Sequence, residues 1–199
     1  VAAEAKPADA RPTAPKAEAS FGDIKIGADE YVMGQADAPV TIIEYASLTC
    51  PHCAHFHANT MPGLKKELID TGKARLVYRD FPLDQLALTA SMVARCAGRG
   101  RFFGFLDTFF ISQQSWSRSQ NPVAAIAGIA RLGGMSQEKF DACIRDQKMA
   151  DAILAQRLEG DKTYGVNSTP TLIINGERYG GALTLGQIKA VIARQASKS

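Results

Sequence analysis

Three features are scarce in this sequence, and each scarcity argues against a class of function. No stretch of the 199 residues is long and apolar enough to cross a bilayer as a helix. The net charge is only +3, because 23 basic residues nearly balance 20 acidic ones, which argues against nucleic-acid binding. Only three histidines are present, all within residues 52–57, so histidine ligands for a zinc site are found in that segment alone.

The first 20 residues contain no aromatic side chain and are rich in alanine and proline. Such a segment cannot bury enough apolar surface to order itself, so residues 1–20 are predicted to form a flexible tail. The chain starts at Val1 rather than at Met, and no signal peptide is visible. We therefore expect a chain from which a signal peptide or a membrane anchor has been removed.

Cysteine is also scarce, yet two of the four cysteines form the motif Cys50-Pro51-His52-Cys53. The motif follows an apolar run at 40–45, which predicts a buried strand. A helical pattern begins at the motif, with Pro51 at the first helical position that suits proline. A CxxC pair between a strand and a helix is typical of dithiol–disulfide exchange.

The position of Cys50 predicts its chemistry. Unpaired backbone N–H groups and the positive end of the helix dipole face it, so we expect its pKa to be lowered. His52 adds a donor or, when protonated, a positive charge. Because a stable thiolate stabilises the reduced form, the oxidised form should give its disulfide away. Cys53 lies about one turn further on and is the resolving partner.

Half of a zinc site is the main competing interpretation of this motif. The other ligands would come from His55 and His57, yet Cys50, Cys53 and His57 lie on one side of a helix only if that helix is continuous. A short CxxC that opens with proline favours a disulfide, and we predict no resident metal.

The remaining pattern divides the chain into three parts. Residues 21–83 hold the first strands, the CxxC helix with an interruption at 61–63, and a strand at 74–80. Residues 84–164 show helical periodicity with almost no strand pattern. Residues 165–199 hold a hairpin, turning at Asn175-Gly176, and a last helix. The helices predicted within the middle part span 84–98, 102–113, 122–132, 136–146 and 148–164. Without that part, β-α-β and β-β-α units surround one sheet, so the prediction is an α/β thioredoxin fold with an inserted all-helical subdomain.

These motifs identify a family resemblance over about residues 21–199. The chain resembles DsbA-like thiol:disulfide oxidoreductases of the bacterial envelope, and its four-cysteine layout is most similar to the alphaproteobacterial branch. The resemblance rests on the CPHC motif at residues 50–53, on Glu44 six residues before it, and on Thr169-Pro170 after the helical part.

The resemblance implies roles for three further residues. Pro170 would be a cis proline beside the disulfide. Thr169 would pair with an extended substrate segment and form a hydrogen bond near the cysteine sulfurs. The residues alone leave a second interpretation open, in which Pro170 is an ordinary turn proline. Glu44 would be a buried acid that shuttles the proton of Cys53, whereas simple alternation would place it on a wetter face. His55 and His57 are expected on the exposed side of the helix or near the rim of the site, and no role is assigned to them.

The other two cysteines lie on inward faces of predicted helices. Cys96 follows Leu88 and Met92 at helical spacing, and Cys143 follows Phe140. They are therefore either buried free thiols or a disulfide. The resemblance implies a disulfide with a structural or tuning role rather than a catalytic one, and an oxidising compartment favours it.

The resemblance implies that the Cys50–Cys53 disulfide is donated to unfolded exported polypeptides with reduced cysteines, through a mixed disulfide at Cys50. It also implies a periplasmic location, a DsbB-like membrane oxidase as reoxidising partner, and no cofactor. A monomer is the default expectation for the oligomeric state. Two alternatives stay open, which are a disulfide isomerase or reductase on the same fold and an envelope protein for copper tolerance. The intact CxxC argues against a third, a redox-inactive binding module.

Overall fold

The computed structural model describes residues 11–199 of the chain. Residues 1–10, half of the predicted tail, lie outside the described residues. Across residues 11–199, no helix combines the length and the hydropathy needed to span a membrane.

A six-stranded mixed sheet forms the centre of the molecule. Its strands are β1 (Ala19–Ser20), β2 (Tyr31–Met33), β3 (Val40–Ala46), β4 (Ala74–Asp80), β5 (Thr171–Ile174) and β6 (Glu177–Gly180). The spatial order is β1-β6-β5-β3-β4-β2. Only β3 and β4 pair in parallel, and the other neighbours are antiparallel. The β3–β4 pair requires the crossover helix that carries the CxxC motif.

The two central strands are covered on both faces, which explains their nearly continuous apolar sequence. One face of β3 presents Ile42, Glu44 and Ala46, and the other presents Ile43 and Tyr45, all of them buried or nearly so. Ile42 and Ala46 belong to two separate apolar clusters. Glu44 therefore lies at the junction of the two clusters, deep in the molecule.

The helices follow the predicted order with small shifts at their ends. They are α1 (Pro51–Asn59), α2 (Met61–Leu64), α3 (Gln85–Cys96), α4 (Arg99–Ile111), α5 (Gln113–Ser117), α6 (Pro122–Leu132), α7 (Gln137–Ile144), α8 (Gln147–Tyr164) and α9 (Leu185–Ala196). A π-helical segment, Lys65–Ile69, continues α2. The interruption predicted at 61–63 is present, since α1 ends at Asn59 and α2 begins with Met61-Pro62.

Side-chain caps explain where several helices of the middle part begin. The N-cap oxygens of Asp84, Asn121, Ser136 and Asp146 each accept a hydrogen bond from a backbone N–H of the first turn. The predicted helix at 102–113 differs from the structure. It begins earlier, after Gly98, whose φ of 88° is a conformation that favours glycine. It ends at Ile111, and Gln113 starts the separate short helix α5.

The flexible-tail prediction is wrong for residues 11–20. Strand β1 pairs with β6, with Ala19 opposite Arg178. Ala14 and Ala17 pack against the cluster beneath α9, and Arg194 donates a hydrogen bond of 3.0 Å to the carbonyl oxygen of Pro15. The segment does not need a core of its own, because an open sheet edge and a helix surface supply the contacts.

Candidate active site

Cys50 is the N-cap residue of α1, directly before Pro51. A short loop joins it to β3, and its backbone N–H donates to the carbonyl oxygen of Ser47 at 3.1 Å. Both Cys50 and Cys53 are free thiols with buried side chains. The motif thus places one sulfur at the positive end of the helix and the second one turn inside it.

The surroundings of Cys50 stabilise its thiolate. Its pKa falls to about 5, chiefly because the Cys53 thiol donates a hydrogen bond to it, although burial opposes the shift. The Thr169 hydroxyl and the backbone N–H groups of Cys53 and His52 also donate. The lowering predicted from the helix start is therefore present, and its largest cause is the second cysteine.

Cys53 shows the opposite behaviour. Its side chain has no exposed surface, and burial raises the pKa of its thiol far above the ordinary value. The neighbouring thiolate of Cys50 and the carboxylate of Glu44 raise it further. At neutral pH the reduced pair therefore favours a thiolate at Cys50 and a thiol at Cys53.

Thr169 and Pro170 lie beside this pair, although they are more than a hundred residues away in the chain. The peptide bond between them is cis. The Sγ atom of Cys50 lies 3.4 Å from the carbonyl oxygen of Thr169. When Cys50 is protonated, its thiol donates a hydrogen bond to that oxygen. The Thr169 hydroxyl is buried and has no other partner within residues 11–199, so it is free to donate to the thiolate. Strand β5 begins directly after Pro170.

His52 and Pro51 are exposed at the mouth of the site. His55 is exposed as well, and its Nδ1 atom lies 3.1 Å from the amide nitrogen of Asn59. Pro51 borders an open groove of about 680 Å³, which lies between α1 and the segment where α4 ends and α5 begins. Ile111, on the groove wall, has 85% of its surface exposed.

The placement predicted for His57 is wrong. Its side chain is only 5% exposed, and its Nε2 atom lies 2.9 and 3.0 Å from the two carboxylate oxygens of Glu44. The Phe110 ring stacks on the imidazole with 4.2 Å between ring centroids. His57 is four residues after Cys53, so both face inward from α1, and the helical part of the chain covers that face.

Glu44 lies on the covered face of the sheet and is completely buried. Its neighbours in the sheet are Tyr78 on β4 and Leu172 on β5. Of the two positions that the sequence left open, the wetter face is thus excluded. Its charge acts on Cys53, and His57 is its hydrogen-bonding partner.

Gln113 belongs to the site and was missed in the sequence. Its Nε2 atom donates to the carbonyl oxygens of Leu48 and Cys50, at 2.8 and 2.9 Å. The side chain is buried at the start of α5, three residues before the buried Trp116. That spacing places a polar residue on the side of a helix that faces the core. This is the one sequence feature from which Gln113 could have been identified as a site residue.

The remaining cysteines form a disulfide between the ends of α3 and α7, with 6.2 Å between the Cα atoms of Cys96 and Cys143. Of the two states left open, free thiols are excluded. The bond packs with Leu88, Met92 and Ile153 in an apolar cluster that contains neither Cys50 nor Cys53.

Nowhere in the part of the chain that the structure describes are three His, Cys, Asp or Glu residues grouped to hold a metal ion.

Known proteins resemble this chain along most of its length. The family model for thioredoxin matches residues 28–194. A Rickettsia bellii relative, named a protein-disulfide oxidoreductase, is 33% identical over 179 residues, which are 88% of this chain and 68% of the relative. A second, from Rickettsia typhi, is 33% identical over 76% of this chain, which spans only 57% of that relative's length.

Among solved structures, Wolbachia pipientis alpha-DsbA1 superposes with a TM-score of 0.81 at 32% identity, covering 87% of this chain and 94% of that one. These likenesses confirm the predicted fold class, a thioredoxin fold with an inserted helical subdomain. The chain therefore belongs to the thioredoxin family, as a DsbA-like disulfide oxidoreductase.

Proposed function

We propose that this enzyme donates its Cys50–Cys53 disulfide to exported polypeptides that carry reduced cysteines. The observation that carries the proposal is the contrast between the two thiols, with the pKa of Cys50 lowered to about 5 and that of Cys53 strongly raised. A thiolate that is stable at neutral pH favours the reduced enzyme and is a good leaving group. Both properties suit a disulfide donor.

The reaction starts from the oxidised enzyme. A substrate thiolate attacks the sulfur of Cys50, forming a mixed disulfide and breaking the bond to Cys53. The Cys53 sulfur takes up a proton, since its buried position disfavours the anion. A second substrate thiolate then attacks the substrate sulfur of the mixed disulfide. It releases Cys50 as a thiolate, so the substrate is oxidised and the enzyme reduced.

The backbone of Thr169 gives a substrate segment a place to bind. In the proposed complex, an extended segment pairs with residue 169 beside the cis Pro170, ahead of the start of β5. The apolar wall at Ile111 offers a contact for an unfolded chain on the other side of α1. Pro51 and His52 lie between these two surfaces and border the attacked sulfur.

Glu44 serves as the proton acceptor and donor for Cys53. It is buried, and its charge raises the pKa of the Cys53 thiol, so the two groups are electrostatically coupled. The proposal also includes a monomeric enzyme in the periplasm, reoxidised by a DsbB-like membrane oxidase. The Cys96–Cys143 disulfide, a bond that oxidising compartments favour, supports that location.

The reduction potential of the Cys50–Cys53 pair, measured in glutathione buffers, tests this function. We expect a value towards about −120 mV, typical of strong oxidants, and a thiolate absorbance midpoint near pH 5. A double variant, Cys96→Ala with Cys143→Ala, is the matched control that keeps the readout on the first pair. A value near about −270 mV, as in thioredoxin, would contradict the proposal and favour the reductase or isomerase alternative, which rearrangement of scrambled disulfides would then distinguish.

A further inference from the structure

A buried acid–histidine pair lies behind Cys53, and the mechanism above uses only its acid. Glu44 has no exposed surface, and the Nε2 atom of His57 contacts both of its carboxylate oxygens. A buried carboxylate exchanges protons slowly with water unless another group connects it to the surface. His57 is the group in contact with it, and its ring has a second nitrogen on the far side.

That second nitrogen is available. The Nδ1 atom of His57 is buried and has no hydrogen-bond partner among residues 11–199. The ring is held flat against Phe110 of α4. One helical turn before Phe110, Asp107 is exposed, and partial burial raises its pKa while the charge of His57 lowers it. The imidazole therefore contacts a buried carboxylate directly and acts electrostatically on one at the surface.

The other charged and titratable groups near this pair are few. Tyr78 of β4 lies beside Glu44 in the sheet, with a buried hydroxyl that lacks a partner within the described chain. Cys53 lies one turn before His57 on α1, and Lys65 of the π-helical segment acts on Asp107. Burial raises the pKa of Tyr78 well above its ordinary value, so it keeps its proton at neutral pH. His57 is thus the group that contacts the Glu44 carboxylate and still has a ring nitrogen without a partner within the described residues.

We propose that His57 passes the proton between Glu44 and the surface at Asp107. His57 does not touch the reacting sulfurs; it acts on Cys53 through Glu44 and is therefore a positioning residue. This inference rests on the proposed role of Glu44. It assigns a role to a residue for which the sequence predicted none.

The proposed step balances as follows when the reduced enzyme closes its disulfide. Glu44 takes the proton of Cys53, and the resulting thiolate attacks Cys50 in a mixed disulfide, forming the S–S bond and releasing the partner thiolate. Protonated Glu44 gives the proton to Nε2 of His57. The proton on Nδ1 then leaves towards Asp107 and water, and the released thiolate is protonated by solvent. The reverse sequence delivers a proton to Cys53 when the disulfide opens.

Oxidation of the reduced enzyme by glutathione disulfide separates the relevant steps. The first step forms the Cys50–glutathione adduct, and the second step, attack by Cys53, removes it. Acid quenching and intact-mass measurement follow both steps across pH. The His57→Gln variant retains an amide donor for Glu44 but carries no exchangeable ring proton. His55→Gln, on the same helix and exposed, is the matched control.

We expect His57→Gln to slow the second step roughly tenfold and to change its pH profile, with the first step unchanged. Asp107→Asn, an exposed substitution, should slow the second step by roughly threefold, and His55→Gln should leave both steps unchanged. A second step in His57→Gln as fast as in the wild type would overturn the proposal. Equal slowing of both steps would also overturn it, because that pattern indicates a distorted site.

These outcomes are independent of the test of the proposed function. A reduction potential near that of thioredoxin would remove the disulfide-donor role, yet the second step would still require Cys53 to lose its proton. Conversely, Glu44→Gln with an unaffected second step would remove the acid on which this inference depends, while leaving the measured potential valid.

Discussion

Cys50 and Cys53 have a sequence separation of only 3 at the first turn of a helix, whereas Cys96 and Cys143 join two helices across a sequence separation of 47. Cys96 is the last residue of α3, and Cys143 is the last but one of α7. The helix dipole therefore favours a thiolate at Cys50 and disfavours one at the other pair. The same side chain takes a reactive or an inert role according to the helix end at which it lies.

The side chains around each pair reinforce this difference. Cys50 receives hydrogen bonds from Cys53, Thr169 and backbone N–H groups, all of which stabilise an anion. The second pair is surrounded by aliphatic residues and methionine, which offer no N–H or O–H donor to a thiolate. Reduction of the second pair would place two neutral thiols in an apolar cluster, and we expect the bond to hold α3 and α7 together.

The largest effect expected concerns exchange activity. Cys50→Ser should abolish disulfide transfer to a reduced peptide, because Cys50 is the attacked sulfur. Replacing Cys96 and Cys143 together by alanine should leave most of the activity, measured with the same peptide at a temperature where both variants are folded. Loss of activity in the double variant would break the division between a reactive and a structural pair.

The second effect concerns stability. Removing the Cys96–Cys143 bond should lower the free energy of unfolding by about 4 kcal/mol, since a loop of this length is no longer closed in the unfolded chain. Denaturant unfolding of the double alanine variant measures the change, with the wild type as reference. A decrease below about 1 kcal/mol would mean that the bond does not stabilise the helical part.

A third effect sharpens the comparison through pH. The folded pKa of Cys50, about 5, is below that of an unfolded thiol, so its stabilising contribution is complete above the unfolded value and is lost as pH falls through 5. At pH 7 the contribution to the reduced enzyme should be about 3 kcal/mol. The measurement is the free energy of unfolding of the reduced wild type and of Cys50→Ser, followed from about pH 4 to about pH 9. Parallel stability curves for the two proteins would refute the expectation.

The smallest effect tests whether the helical part holds the active-site loop. Gln113→Ala leaves two buried carbonyl oxygens, those of Leu48 and Cys50, without their donor. The cost should be roughly 2 kcal/mol in the free energy of unfolding, by denaturant titration. The exposed neighbour provides the control, because Gln114→Ala should change stability by less than about 0.5 kcal/mol. Equal effects at the two positions would remove Gln113 from the site.

Local patterns predicted the parts of this molecule that depend on nearby residues. The apolar run before Cys50 and the helix that starts at Pro51 are present where the spacing placed them. The position of Thr169 beside Cys50 came from the family resemblance, because no local pattern shows which distant segment meets the helix start. Gln113 was missed for the same reason, since its partners are more than sixty residues away.

His57 shows a different limit. Its spacing from Cys53 defines the side of the helix on which it lies, yet only the tertiary structure shows that Phe110 and Glu44 cover that side. A polar residue on a covered face requires a buried partner, and the partner belonged to another strand. The same reasoning applies to residues 11–20, where the contacts come from the sheet edge and α9.

The pairing of β1 with β6 also affects how the protein should behave in solution. Strand β6 lies next to last in the sheet only because residues 19–20 cover it. A chain shortened to begin at Phe21 would turn β6 into an open edge, leaving the backbone groups of Glu177 and Arg178 without those partners. Open edges recruit strands from other molecules. Self-association of the shortened protein at high concentration is thus the expected result of losing a segment that has almost no apolar bulk.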